Sequence, residues 1–164
     1  MVISALIMIS LFWFAVALLN LGYGEPKGTG FIAMAVGVLT VLCGFADAAI
    51  MGDLLGAGLL YSHGLLYMSI AYALLFGVEN MKTIGNISLV VAIISAIYAF
   101  VNFTTGVYYI AFMAAGYAVL TVEVWANFYG KLDGKVVAYS LLIWIPIGLW
   151  IPGFLLGMGL ALPF

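Results

Sequence analysis

The sequence predicts an all-α integral membrane protein, a bundle of six transmembrane helices spanning residues 1–164 as a single domain, and three observations carry that prediction. Only 6% of the 164 residues are charged and the mean hydropathy is +1.33. A soluble domain carries about 25% charged residues, so too few are present here to cover a water-facing surface. The ten Asp, Glu and Lys residues are parted by apolar runs of about 20 residues, the length of helix that crosses a bilayer core at about 1.5 Å per residue. Short segments alternating apolar with polar residues, which a membrane β-barrel needs, are missing.

Six spans fit the pattern, at residues 2–21, 31–50, 55–78, 84–103, 107–128 and 136–160. Glu25-Pro26-Lys27-Gly28-Thr29-Gly30 is the first dense polar interruption. Pro and Gly resist a helix interior and Glu and Lys resist hydrocarbon, so the chain is expected to turn there in water. Glu79-Asn80-Met81-Lys82 and Gly130-Lys131-Leu132-Asp133-Gly134-Lys135 interrupt the chain in the same way. The loops after the first, third and fifth spans hold all four lysines, whereas those around Met51–Leu54 and Thr104–Gly106 hold none. By the positive-inside rule the lysine loops are cytoplasmic, which places both termini outside and predicts three helical hairpins with cytoplasmic tips. Residues 1–19 lack the positive region and small-residue cleavage site of a secretory signal and read as a retained helix.

Several classes of function find no support. The one cysteine, Cys43, excludes an internal disulfide and reads as a small packing hydrophobe. No metal-ligand spacing, phosphate loop, dinucleotide fingerprint or nucleophile with its base is present, so no enzyme, metal or cofactor is predicted. A net charge of −2 with lysines alone as cations offers nucleic acid nothing.

Polar groups inside the spans are the candidates for function. Glu123 lies about five residues from the cytoplasmic end of the fifth span, with Asn127 at i+4 and Leu120 and Gly116 continuing that face. A carboxylate there costs several kcal/mol unless it meets water, a partner or a proton; headgroup water or Lys131 are the structural alternatives to a functional role. Asp47 reads as an interfacial acid at the outer end of the second helix. His63, at the start of the third span and one turn before Tyr67, reads as a hydrogen-bonded structural group or a pH sensor. Ser88, Ser95 and Asn102 recur at sevens, a stripe that either binds helices together or lines a path. Gly153 with Gly157, Ala111 with Ala115, and Gly52 with Gly56 suggest close helix packing. Pro146 and Pro152 should kink the last span and turn it toward a water-lined wall, where freed carbonyls find partners. Trp144 lies deeper in that span than an interfacial belt residue needs to. Such a set suits a narrow path lined by rings and a few hydrogen-bonding groups, matched to a small neutral planar solute.

Glu25-Pro26-Lys27-Gly28-Thr29, followed by Met34, Val36-Gly37 and Leu39, resembles the acid-Pro-Lys-small-Thr loop and second helix of the bacterial urea and amide channel family (AmiS/UreI). Gly64-Leu65-Leu66-Tyr67 is similar to the family's Gly-Leu-Leu-Phe, and Asn127, Gly134-Lys135 and Trp150-Ile151-Pro152 match its Asn, Gly-Lys and Trp-Ile-Pro without a gap. The resemblance implies a ring-shaped homo-hexamer in the bacterial inner membrane, one pore per protomer, and passive passage of urea, acetamide or formamide. Acid-gated members carry a long histidine-bearing loop between the second and third helices, so the short turn here implies no acid gating. The family's constriction uses a Trp on the fifth helix and a Glu on the sixth; the matching positions are Leu120 and Trp144. An exchange is therefore expected, in which Glu123 accepts amide hydrogen bonds and Trp144 forms the flat wall. The residues expected at the pore are Glu123, Trp144, Leu120, Tyr67, Asn127 and Trp150. A proton-coupled transporter of a small metabolite using Glu123 is the alternative.

Overall fold

The computed structural model describes residues 2–164. Six rods follow in chain order: α1 (Val2–Asn20), α2 (Pro26–Ala46) extended by a π-helical turn (Asp47–Met51), α3 (Leu54–Phe76), α4 (Lys82–Thr104), α5 (Tyr108–Phe128), and a last rod of α6 (Gly134–Trp144), a π-helical stretch (Ile145–Trp150) and α7 (Ile151–Gly157). Among the described residues five rods are long and apolar enough to cross a membrane, and α1 is a shorter apolar helix over Ser4–Asn20.

Each rod packs on its neighbours in sequence and the last closes on α1, so the bundle is a ring. The helices are joined by short turns and alternate in direction. All three lysine loops gather at one end: Glu79–Lys82 and Asn127–Gly130 line one surface recess, and Gly134 lies beside Asn20 and Asn127. The expected hairpin partners touch, but the most extensive contacts join α2 to α3 and α4 to α5 across the lysine-free turns, and α1 also packs on the last rod.

Close approach explains the α2–α3 pair. A Cβ on Gly37 would stand 3.0 Å from the Gly64 carbonyl oxygen, and one on Gly64 would stand 2.9 Å from that of Gly37. Gly30 packs likewise on Leu74 and Leu75, and Gly44 on Ala57 and Leu60, so glycines at sevens along α2 form one seam. Of the small-residue pairs expected from the sequence, one member of each is buried: Gly153 near Leu6 and Ile7, Ala111, and Gly56. Gly157, Ala115 and Gly52 are exposed, Gly157 and Gly52 lying where their helices end.

The Glu25–Gly30 stretch is also more helical than expected. Pro26 occupies the first turn of α2, where a missing N–H costs nothing, and the Glu25 carboxylate caps the helix by accepting from the Lys27 and Gly28 amides. Asp53 and Asp133 cap α3 and α6 similarly, at 2.8 Å from the Gly56 amide and 2.9 Å from the Lys135 amide. Three acids of the turns, Glu25, Asp53 and Asp133, are thus helix caps, so charge and helix boundary coincide there, whereas the N-cap residue of α4, Met81, provides no side-chain cap.

Pro152 shapes the last rod. It has no N–H to give the Gly148 carbonyl at i−4 or the Ile147 carbonyl at i−5, and two tyrosines of α5 take those acceptors. The Tyr117 hydroxyl donates to Gly148 at 2.6 Å and the Tyr109 hydroxyl to Ile147 at 2.8 Å. The sequence expects the freed carbonyls to turn toward water; α5 satisfies them instead, and the serine stripe of α4 serves the same purpose. Ser88 donates to the Thr121 carbonyl of α5 at 2.7 Å, while Ser95 bonds back to Val91 and Asn102 to Tyr98. Of that stripe, Ser88 alone bonds to another helix, and the other two satisfy themselves within α4.

Candidate functional site

Two cavities, each of about 70 Å³, lie along the interior of the ring. The first opens toward the end opposite the lysine loops and is walled by α1, α3 and α5, with Tyr98 of α4 and Leu149 of the last rod. Its polar edge is a cluster of four rings, Trp13, His63, Tyr67 and Tyr117. The imidazole of His63 lies edge-on to Tyr67 at 6.0 Å and to Tyr117 at 5.9 Å between centroids, and Trp13 lies edge-on to Tyr117 at 5.7 Å. The Trp13 indole N–H donates to the Tyr67 hydroxyl at 3.2 Å. His63 sits about two and a half turns into α3, deeper than a place at the start of the helix, and is 5% exposed.

The second cavity lies at the lysine-loop end, between Val16 and Asn20 of α1, Ile70 and Leu74 of α3, and Val124 and Asn127 of α5. On each of these helices the two cavities use one continuous face: Trp13 and Val16, Tyr67 and Ile70, Tyr117 and Val124. Leu120, 5% exposed, lies one turn beyond Tyr117 toward Val124, on the helix between the linings of the two cavities.

The six sequence-predicted residues divide accordingly. Tyr67 lines the first cavity, Asn127 the second, and Leu120 stands between them. Asn127 also donates from Nδ2 to the Leu132 carbonyl at 2.9 Å, holding the turn below α5. Glu123 and Trp144 line neither cavity. Glu123 accepts from the Ser140 hydroxyl at 3.1 Å, and the Trp144 indole fills a slot between Gly116 and Gly148, against Phe112 at 5.1 Å. Lys131, the cation within reach of Glu123 in the sequence, lies over Trp125 at 4.8 Å. Trp150 is 43% exposed on the outside of the ring.

The physical reason is a rotation of α5. Gly116, Leu120, Glu123 and Asn127 do share one broad face in sequence, but Gly116 and Glu123 form the row at one side of it and Tyr117 and Val124 a second row about 100° around, with Leu120 and Asn127 on the arc between. The first row meets α6 and the second meets the interior. Sequence reasoning missed Trp13 and Tyr117 as residues that edge the first cavity and placed His63 at the start of its helix, as a structural group or pH sensor. The signal that could have found them is the i+7 recurrence of Tyr117 with Val124 and the i+4 recurrence of His63 with Tyr67.

Rings and hydroxyls at the edge of a small apolar cavity suit contact with a small neutral molecule, whose faces lie over aromatic edges while its N–H and C=O groups exchange water for side-chain partners. Nothing among the described residues forms a group of three or more His, Cys, Asp or Glu able to hold a metal ion.

Two solved structures share the architecture. The cryo-EM structure of the Helicobacter pylori urea channel in its closed state is 19% identical, with a TM-score of 0.86 over 96% of this chain and 98% of that chain. The crystal structure of the urea channel from the same organism is 18% identical, with a TM-score of 0.82 over 98% of this chain and 100% of that chain. No curated protein sequence matches this chain. The family model described as AmiS/UreI family transporter matches residues 1–160, and the chain belongs to that family, as a multi-pass membrane protein of transporters.

Proposed function

We propose that the protein is a passive channel for urea and short-chain aliphatic amides such as acetamide and formamide in the bacterial inner membrane. Its lysine loops face the cytoplasm and both termini face outward. The observation that carries this reading is the pair of cavities on one continuous face of α1, α3 and α5, edged by Trp13, Tyr67 and Tyr117 and parted at Leu120. A closed apolar interval between two small cavities suits a gate or filter for a neutral solute; an ion would need rings of charge or carbonyls at that level. Family membership and the urea-channel fold support the same class. The turn between the π-helical end of α2 and α3 is Gly52 and Asp53 alone, and the chain's one histidine lies inside α3, which supports the absence of acid gating through an outer loop. A homo-hexamer with one path in each protomer follows from the family resemblance.

The test is stopped-flow light scattering of proteoliposomes across urea, acetamide, formamide, glycerol and salts. Urea or amide permeability well above that of empty liposomes, linear in gradient, is expected; permeability equal to that of empty liposomes would sink the proposal. One observation favours a second reading, the proton-coupled transporter: the Glu123 carboxylate is partly buried and its Oε2 has no partner among the described residues. Solute flux that an imposed pH difference drives uphill would select it.

A further inference from the structure

We propose that His63 and Tyr67 form a polar binding station for the amide group, an acceptor and a donor one helical turn apart, and that this station makes the channel favour solutes carrying both N–H and C=O. The inference rests on the channel reading above and adds to it the residues that recognise the solute.

Four features of the first cavity carry it. His63 Nδ1 lies 3.0 Å from the Leu59 carbonyl, an acceptor only, so Nδ1 holds the proton and Nε2 presents a bare lone pair. That Nε2 has no partner among the described residues and almost no exposed surface, although the ring edges the cavity. A buried acceptor left unpaired is costly unless something visits it. The Tyr67 oxygen already accepts from Trp13 Nε1, which leaves its own proton free to donate. Finally, the His63 ring is held between Tyr67 and Tyr117 in edge-on packing, and the Tyr117 proton is committed to Gly148, so Tyr117 helps hold the acceptor in place and offers it no competing donor.

A primary amide or urea completes both halves. One N–H donates to His63 Nε2 and the carbonyl accepts from Tyr67, while the solute's flat face lies on the apolar wall. Because Nε2 has almost no exposed surface, a small side-chain movement at His63 must bring it to the cavity, and a molecule without an N–H or O–H donor gains nothing there.

Three variants in proteoliposomes test the station by stopped-flow urea and acetamide flux, each first shown to be folded by its elution profile. His63→Val removes the acceptor with a smaller side chain, so a fall in flux cannot come from blockage. His63→Gln keeps an acceptor, and Tyr67→Phe removes the donor while keeping the ring. Loss of a buried hydrogen bond to the solute predicts a fall of about tenfold in His63→Val and a smaller fall in Tyr67→Phe, with His63→Gln within about threefold of the native protein. Native flux in His63→Val, or in Tyr67→Phe, overturns the pair, and so does a fall in His63→Gln as large as that in His63→Val. A native protein that conducts neither solute overturns the channel reading and the station with it; a conducting native protein with insensitive variants overturns the station alone.

Discussion

The Tyr117 hydroxyl of α5 donates at 2.6 Å to the Gly148 carbonyl, the acceptor that Pro152 four residues later cannot serve. One bond therefore supports a broken helix and also holds a ring of the candidate solute path, so the wall of the path and the irregular rod behind it depend on each other. Tyr117→Phe leaves a buried carbonyl unpaired and should lower stability by about 1–2 kcal/mol. Pro152→Ala restores an N–H, so the penalty of Tyr117→Phe should shrink in the double variant. Thermal denaturation of the four proteins in detergent measures the coupling, and additive effects would show that the two residues are independent.

The α2–α3 seam predicts a steric asymmetry between glycines of one helix. Gly64→Ala places a Cβ against the Gly37 carbonyl, a backbone atom that cannot yield cheaply, and should destabilise by about 1–3 kcal/mol. Gly58→Ala, with nothing within 4 Å of the new atom, should be neutral or favourable. Equal melting temperatures for the two variants would count against the seam.

Leu120 gives the clearest handle on permeation. Shortening it to Ala opens the interval between the two cavities, and urea permeability should rise severalfold with relaxed selectivity toward glycerol. Unchanged permeability in folded protein would move the barrier elsewhere along the bore.

Glu123 gives the opposite expectation. It clasps α5 to α6 through Ser140 and lies outside both cavities, so Glu123→Gln should keep urea flux within about threefold of the native protein, because the amide oxygen still accepts from Ser140. A folded Glu123→Gln that stops conduction would restore the carboxylate to the path and strengthen the proton-coupled reading.

Orientation is testable without transport. With Cys43 replaced by Ala, a cysteine at Lys131 should react with a membrane-impermeant thiol reagent only after the cells are opened, and one at Gly106 should react in intact cells. The reverse pattern would invert the proposed topology.

The sequence by itself determined the six spans and the gathering of lysines at one end, because a bilayer sets a length of about 20 apolar residues and a tariff on charge, and both can be counted along one dimension. The family was legible for a similar reason, since Glu25-Pro26-Lys27 and Trp150-Ile151-Pro152 are local motifs at helix ends and breaks. Only the tertiary structure decided which face of each helix turns inward. In a soluble helix the polar side marks solvent, but a helix facing lipid on one side and protein on the other is apolar all round, so its rotation leaves little trace in composition. Glu123 and Tyr117 show the consequence: the residue with the strongest chemical signature meets α6, and a tyrosine one row away meets the cavity. Small residues do carry the missing information where backbones touch, as Gly30, Gly37 and Gly44 do, because only a glycine permits that approach. His63 acquired its place the same way, through packing against Tyr117 of α5 that no spacing in the chain records.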